Sequence, residues 1–306
     1  MSEKKILGVL GATGQQGGSV VDFVLNDSEL SKQYAIRAFT RDPSKPAAES
    51  LAKRGVEVVG GDSGDLDTLK KRLVGVDTLF LMTPMAAGGP ITEYETGKGI
   101  ANAAVEAGVQ YIIYSTLPYA NKISEGKVSV PHFDDKAKTE EYIRTLPVKS
   151  SFYCPGFFMQ NFDSMMAPQA QEDGSFAIQV ALAGDIKVPI IDVDKDTGNF
   201  VGAVLADPEK YNHKTVHAAS DFLSMNEVAK LLSDITGKNV KFQQVEAKDY
   251  LTFLPEALRD DILSMFLFYK WGFFGPDTES IVKQIDKSPR VPLNTLDKYF
   301  RQKPPL

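Results

Sequence analysis

The sequence predicts a doubly wound α/β fold, a parallel sheet covered by helices on both faces, with a smaller α+β C-terminal domain. Three observations carry this. Short apolar runs alternate with longer amphipathic segments through the first 155 residues. The short runs are almost continuously apolar, as strands buried on both faces are. The segments between them are long enough for the right-handed crossovers that parallel strands need.

Residues 6–10 form the first apolar run, ending at Gly11, and residues 19–25 carry apolar side chains at helical spacing. A second strand at 35–40 leads into Arg41-Asp42-Pro43, and a helix at 47–54 can close on Gly55 with positive φ. The third strand is placed at 56–59 and the third helix at 65–73, with Asp65 as its N-cap. Strand four, 78–82, precedes a helix over 93–107 that Gly108 stops. Strand five covers 111–115, the next helix 134–144, and strand six 150–154, ended by Pro155-Gly156. Ligands of such sheets gather at the carboxyl ends of the strands.

After residue 155 the rhythm loosens. Strands are expected at 186–191 and 215–218 and a helix at 225–235. Between 266 and 274 stand Phe266, Phe268, Tyr269, Trp271, Phe273 and Phe274, read as core or interdomain packing ahead of a partner surface. The expected division is 1–155 as a nucleotide-binding domain and 156–306 as a smaller substrate or partner domain, interleaved with the last strands of the sheet.

Composition narrows the class. The 306 residues are 43% apolar and 24% charged, which argues against disorder. With 34 basic and 40 acidic side chains the net charge is −6 and no basic face stands out, so direct nucleic-acid binding is not expected. A single cysteine, Cys154, rules out an internal disulfide and a multi-cysteine metal cluster. No apolar stretch reaches 18 residues and the N-terminus lacks a signal-peptide core, so a cytoplasmic protein is expected.

The sharpest motif is Gly11-Ala12-Thr13-Gly14-Gln15-Gln16-Gly17, between the first strand and the first helix. Gly11 allows a tight turn, Gly14 lets the backbone approach a pyrophosphate, and Gly17 permits close helix packing. The helix N-terminus then offers unpaired N–H groups to phosphates. An NAD site places a carboxylate at the end of the second strand. Here Thr40-Arg41 stands there, with Lys45 four residues beyond Arg41. A guanidinium can grip a 2′-phosphate, which makes NADP(H) the expected cofactor. Asp62 and Ser63 would flank the adenine, and Thr83, Pro84 and Met85 would lie towards the nicotinamide.

With these residues assembled, the chain resembles the NmrA-like family, and most closely its redox-sensor branch. The resemblance rests on GATGQQGGSV at 11–20, TRDPSKPAA at 40–48, GD at 61–62, HFDDK at 132–136 and PGFFMQNF at 155–162. It implies an extended short-chain dehydrogenase type of Rossmann fold that binds NADP(H) and regulates protein partners through cofactor-dependent conformation, in the cytoplasm or also the nucleus. By position it implies cofactor contacts from Gly11, Ala12, Thr13, Gly14, Gln15, Gln16, Arg41, Lys45, Asp62, Ser63, Thr83, Pro84, Met85, Lys136, Phe158, Met159, Gln160 and Asn161. Glu95 stands where relatives can carry a lysine. Fold analogy allows a homodimer.

Short-chain reductases carry Y-x-x-x-K on one helix, the tyrosine giving a proton to a carbonyl and the lysine holding the ribose. Here the segment is His132-Phe133-Asp134-Asp135-Lys136, so the lysine stays and a histidine replaces the tyrosine. His132 is read as a cap or cofactor-side residue ahead of a catalytic acid, and no catalytic residue is assigned beyond the candidates His132 and Lys136. NADPH-dependent reduction of a small carbonyl, enone or natural product is the alternative function. Ser115 occupies the place of an orienting hydroxyl, and Tyr114, Tyr119 and Tyr153 are further donors.

No metal site is expected. His213-x-x-x-His217 falls on a strand, where the two would lie about 13 Å apart. Asp192-x-Asp194-x-Asp196-x-Gly198 imitates a calcium loop, but its glycine is one place late and Ala203 stands where a glutamate is needed. Asp194 or Asp196 is read as a helix N-cap, and Cys154 as a packed strand residue.

Overall fold

Apolar alternation along the chain resolves into β1 (Lys5–Leu10), β2 (Tyr34–Thr40), β3 (Glu57–Gly60), β4 (Thr78–Leu81), β5 (Tyr111–Ser115), β6 (Lys149–Pro155), β7 (Phe157–Phe158), β8 (Gln169–Ala170), β9 (Phe176–Val180), β10 (Lys187–Ile191), β11 (Thr215–Ala218), β12 (Asp221–Ser224) and β13 (Val240–Gln244). The structure, a computed structural model, describes residues 4–61, 64–85, 91–250, 252, 254–285 and 289–306. Seven strands form one parallel sheet in the order β3-β2-β1-β4-β5-β6-β11. Two three-stranded sheets, β12-β10-β7 and β13-β9-β8, belong to the C-terminal half.

The helices are α1 (Gln15–Asn26), α2 (Leu30–Gln33), α3 (Pro46–Lys53), α4 (Leu66–Leu73), α5 (Glu93–Glu106), α6 (Ala120–Ile123), α7 (Pro131–Ile143), α8 (Val193–Ala206), α9 (Pro208–Tyr211), α10 (Met225–Thr236), α11 (Ala247–Tyr250), α12 (Glu256–Phe268), α13 (Thr278–Gln284) and α14 (Leu296–Gln302). Val20, Val21 and Val24 of α1 share one core with Phe200, Val201 and Val204 of α8. Leu69 and Leu73 of α4, Ile100 and Ala104 of α5 and Ile143 of α7 build the core on the other face. The sheet is therefore wound on both sides, as the sequence predicts. No helix among the described residues is long and apolar enough to cross a membrane.

Glycine spacing explains how α8 reaches across to α1. A Cβ at Gly198 would stand 2.2 Å from the Ser19 carbonyl oxygen, and one at Gly202 2.5 Å from the Phe23 ring. The Gly198 N–H donates to Ser19 Oγ at 3.0 Å in the space that remains. A helix from beyond residue 155 thus covers the first sheet, and β11 extends it. A third core gathers Phe133, Phe157, Met159, Phe162, Phe266, Phe268, Tyr269 and Phe273, so the aromatic run packs inside the molecule. Gly156 is needed there, since a Cβ would meet the Pro189 carbonyl oxygen at 2.5 Å.

Two local expectations are corrected. The N-cap of α8 is Asp192, whose carboxylate accepts from Asp194 N and Lys195 N at 3.1 and 3.2 Å. Asp194 and Asp196 stand two and four residues further on, inside the helix. The helix expected at 134–144 begins at Pro131, whose fixed φ suits the first helical position, so His132 lies inside it.

The carboxylates around Asp192 hold the C-terminal segment. Asn294 donates from its backbone N to Asp196 Oδ2 at 3.0 Å and from its amide to Asp192 Oδ2 at 2.7 Å. Asp196 is 3% exposed, and burial pushes its carboxyl up to about 7 despite the Asn294 hydrogen bond. The folded state therefore holds a proton that the unfolded chain releases near pH 3.8. The stability this contributes is full below that value and is lost as pH rises through about 7. Urea unfolding of wild type and Asp196→Asn should show the wild type losing ground to the variant across that window. A stability difference that stays flat from pH 4 to pH 8 would contradict this.

Candidate functional site

The loop after β1 lies where the sheet's winding reverses, because β1 pairs with β2 on one side and β4 on the other. Gly11 turns at φ 65°, and Gly14 N donates to Gly11 O at 2.8 Å. A Cβ at Gly17 would sit 2.3 Å from the Gly11 carbonyl oxygen, so α1 can approach its own turn only without a side chain there. α1 begins at Gln15, with Gly14 at the N-cap. That end has no side-chain cap and no acidic residue in its first turn. Its N–H groups and dipole suit an anion.

Gly11, Thr13, Gly14, Arg41, Lys45 and Pro84 line one groove of about 510 Å³, walled by Leu10, Phe39, Leu69 and Ile100. Arg41 is exposed and makes no ion pair among the described residues. Its neighbour Asp42 accepts from Ser44 Oγ at 2.6 Å and Ser44 N at 3.0 Å, bonds that hold its carboxyl below the usual carboxylate range. That acceptor is therefore directed at Ser44. Lys45 precedes α3 as its N-cap residue. Ala12 is buried beneath the loop and Met85 is 37% exposed. Asp62 and Ser63 lie outside the described residues.

Lys136 projects from α7 to the end of β4. Its ammonium donates to Thr83 O at 2.8 Å and Thr83 Oγ1 at 3.1 Å, and lies 2.5 Å from Glu93 Oε1. Thr83 Oγ1 in turn donates to Glu93 Oε1 at 2.5 Å. Glu93, at the start of α5, is 2% exposed. One turn before Lys136, His132 Nδ1 lies 2.6 Å from Asp261 Oδ1 of α12.

The other hydroxyls are engaged or enclosed. Tyr114 OH is 3.4 Å from Thr83 Oγ1 in a fully buried position that pushes its phenol well up. Tyr153 OH pairs with Thr197 Oγ1 at 3.0 Å, again buried. Ser115 Oγ donates to Gln16 Oε1 at 2.6 Å, tying the end of β5 to the first turn of α1. Tyr119 is half-buried and carries Lys122 over its ring.

The aromatic segment divides in its roles. Met159 is fully buried in the third core, while Phe158 is partly buried against the first. The Gln160 amide donates to Asp192 Oδ1 at 2.7 Å, which ties it to the α8 cap, and Asn161 is half-buried. Glu95 closes a capping box with Thr92 at the start of α5, a structural task for the departure from lysine. His217 lies in β11 with its ring 4.7 Å from Phe274, and burial pushes it down to about 4. Cys154 is buried in β6 and its thiol is pushed up by burial.

Sequence reasoning missed Glu93 and Asp261. Glu93 reads as an ordinary first-turn acid of a helix, and Asp261 as one charge in an amphipathic segment 129 residues from its partner. Only the fold brings them to Lys136 and His132.

The parallel sheet and the glycine turn at its reversal point define a Rossmann-type α/β protein. The chain belongs to the NmrA-like family, whose model matches residues 2–301. An NmrA-like family domain-containing oxidoreductase of Aspergillus hancockii is 30% identical over 295 residues, spanning 89% of this chain and 86% of the relative. The crystal structure of NmrA, described as a negative transcriptional regulator, matches with a TM-score of 0.84 at 24% identity, over 99% of this chain and 96% of that one. The NADPH complex of an NADPH-dependent quinone oxidoreductase from Escherichia coli matches with a TM-score of 0.77 at 25% identity, over 97% and 99% of the two chains. Proteins described as regulators and as oxidoreductases thus share this fold.

Proposed function

We propose that the chain binds NADP(H) in the groove beside the glycine loop and uses it to reduce a small carbonyl or enone. One observation carries the cofactor assignment: the uncapped α1 N-terminus, Arg41 and Lys45 line a single groove. Gly11 to Gln16 would hold the pyrophosphate, Arg41 and Lys45 the 2′-phosphate, and Lys136 the nicotinamide ribose. Thr83, Pro84 and Met85 would border the nicotinamide. The bound cofactor supplies a hydride. The reductive use is supported by the histidine and lysine pair on α7 and by the oxidoreductase relatives. In this reading residues 1–155 hold the cofactor and residues 156–306 shape the substrate side.

A second reading, a redox-sensing regulator that binds a protein partner, is favoured by one contact. The His132–Asp261 bond joins to α12 the helix whose Lys136 holds Thr83, the neighbour of the groove residue Pro84. It requires NADPH and NADP⁺ to favour two conformations unequally. A regulator consumes no NADPH with any carbonyl or enone, whereas a reductase turns over at least one.

Arg41→Ala should weaken NADPH about ten- to a hundredfold, the loss of charge-assisted hydrogen bonds worth roughly 1.5–3 kcal/mol. NADH should change by less than about twofold. Calorimetric titration of both proteins measures this, and equal losses for the two nucleotides would remove Arg41 from the 2′-phosphate site.

A further inference from the structure

We propose that His132, oriented by Asp261, is the proton donor of the reduction; this rests on the NADPH-dependent reading above. Position comes first. Pro131 opens α7, so His132 and Lys136 stand four residues apart on one helix face. Lys136 fixes where that face looks, because its ammonium is 2.8 Å from the Thr83 carbonyl at the carboxyl end of β4. Ligands of doubly wound sheets bind there.

Orientation comes second. The His132 and Asp261 side chains are each 11% exposed, and their contact of 2.6 Å spans two elements far apart in the chain. A carboxylate can only accept, so Nδ1 carries the shared hydrogen and Nε2 is left as the exchangeable nitrogen. Phe133 sets its ring edge-on to the imidazole at 4.8 Å. Asp261 of α12 bonds the ring, Lys136 with Glu93 of α5 stands one turn along α7, and Asp135, three residues along, pairs with Lys138. A base or acid oriented by a third group is the arrangement that proton transfer to a reacting oxygen calls for.

Tyr114 and Tyr153 are enclosed, the Ser115 proton goes to Gln16, and the Thr83 proton goes to Glu93. Tyr119, at the N-cap of α6 and not on α7, carries Lys122 over its ring, and among the described residues no hydrogen bond engages the second nitrogen of His132.

Bound NADPH would supply a hydride from its nicotinamide to the carbonyl carbon of an aldehyde or ketone, so a C–H bond on the nicotinamide breaks, a C–H bond on the substrate forms and the C=O π pair moves to oxygen. The protonated imidazole gives up its Nε2 hydrogen to the carbonyl oxygen, so an N–H bond breaks and an O–H bond forms. The product is an alcohol with NADP⁺, and the ring is left neutral with its Nδ1 hydrogen still donated to Asp261. A proton taken up from solvent restores the Nε2 hydrogen, so each turnover consumes one NADPH and one proton. Asp261 is a positioning residue throughout.

The test uses the full chain, NADPH and a panel of nitrobenzaldehydes and 1,2-diketones, which accept hydride readily. His132→Gln should lower kcat by about a hundredfold or more, in the range of general acid catalysis, with NADPH Kd held within threefold. Asp261→Asn, nearly isosteric, should lower kcat about tenfold with KM for the carbonyl substrate changed less than about threefold. The unloaded protein gives an independent readout. With three histidines in the chain, ¹⁵N spectra of the imidazoles should show Nδ1 protonated at His132, a bias lost in Asp261→Asn. A kcat within threefold of wild type in His132→Gln overturns the proposal, as does an unchanged tautomer in Asp261→Asn. NADPH binding without turnover of any panel member overturns it too. A wild type that does not bind NADPH overturns the cofactor reading itself, and the donor role with it.

Discussion

Lys136→Met is expected to destabilise the folded protein by about 3–5 kcal/mol, the range for stranding a buried charge. The lysine side chain is 12% exposed and its partner Glu93 only 2%. Glu93 Oε1 takes both the Lys136 ammonium and the Thr83 hydroxyl, while Oε2 has no hydrogen-bond partner among the described residues. Methionine preserves the stem and removes the charge, leaving a carboxylate without its cation in a site closed to water. The double variant Lys136→Met with Glu93→Leu should recover most of the loss, because an apolar pair of similar volume replaces a buried ion pair at little cost. Urea unfolding measures all three proteins. A loss below about 1 kcal/mol in the single variant would show that the pair is solvated.

Gly17→Ala should both unsettle the fold and abolish nucleotide binding. The added methyl would stand 2.3 Å from the Gly11 carbonyl oxygen, 2.6 Å from its carbon and 2.9 Å from Ala12 N. All three are backbone atoms at a turn with φ 65°, so the helix must move instead. Overpacking of this kind costs about 1–3 kcal/mol. Retreat of α1 also shifts its N-terminal N–H groups away from the groove, and it strains the α8 contact at Ser19. NADPH affinity should fall more than about a hundredfold. Gly18→Ala is the control, since its nearest neighbour would be an ordinary 3.6 Å away. Equal tolerance of both changes would contradict the loop geometry.

The fold was legible because its signals are local. Continuous apolar runs bounded by Gly55 and Gly108 placed the strands and helices, and both glycines take the left-handed φ expected of them. Asp65 accepts from Thr68 N as an N-cap should. β12 and β13 gave no comparable signal because they mix polar and apolar side chains on short strands that are not fully buried, and β9 is only five residues long. The α8 cap was misread by two or four residues because three aspartates alternate there and only backbone direction selects Asp192. At the site, the glycine loop, Arg41 and Lys136 announce themselves by residue type and spacing. Glu93 and Asp261 do not. Their roles come from burial and from contacts across 43 and 129 residues, which periodicity does not encode.

The most direct test is a calorimetric titration of the wild-type chain with NADPH, NADP⁺, NADH and NAD⁺. Each phosphorylated nucleotide is expected to bind at least about tenfold tighter than its unphosphorylated counterpart, as a guanidinium gripping a 2′-phosphate requires. Equal affinity for NADPH and NADH, or no binding of any of the four, would contradict it.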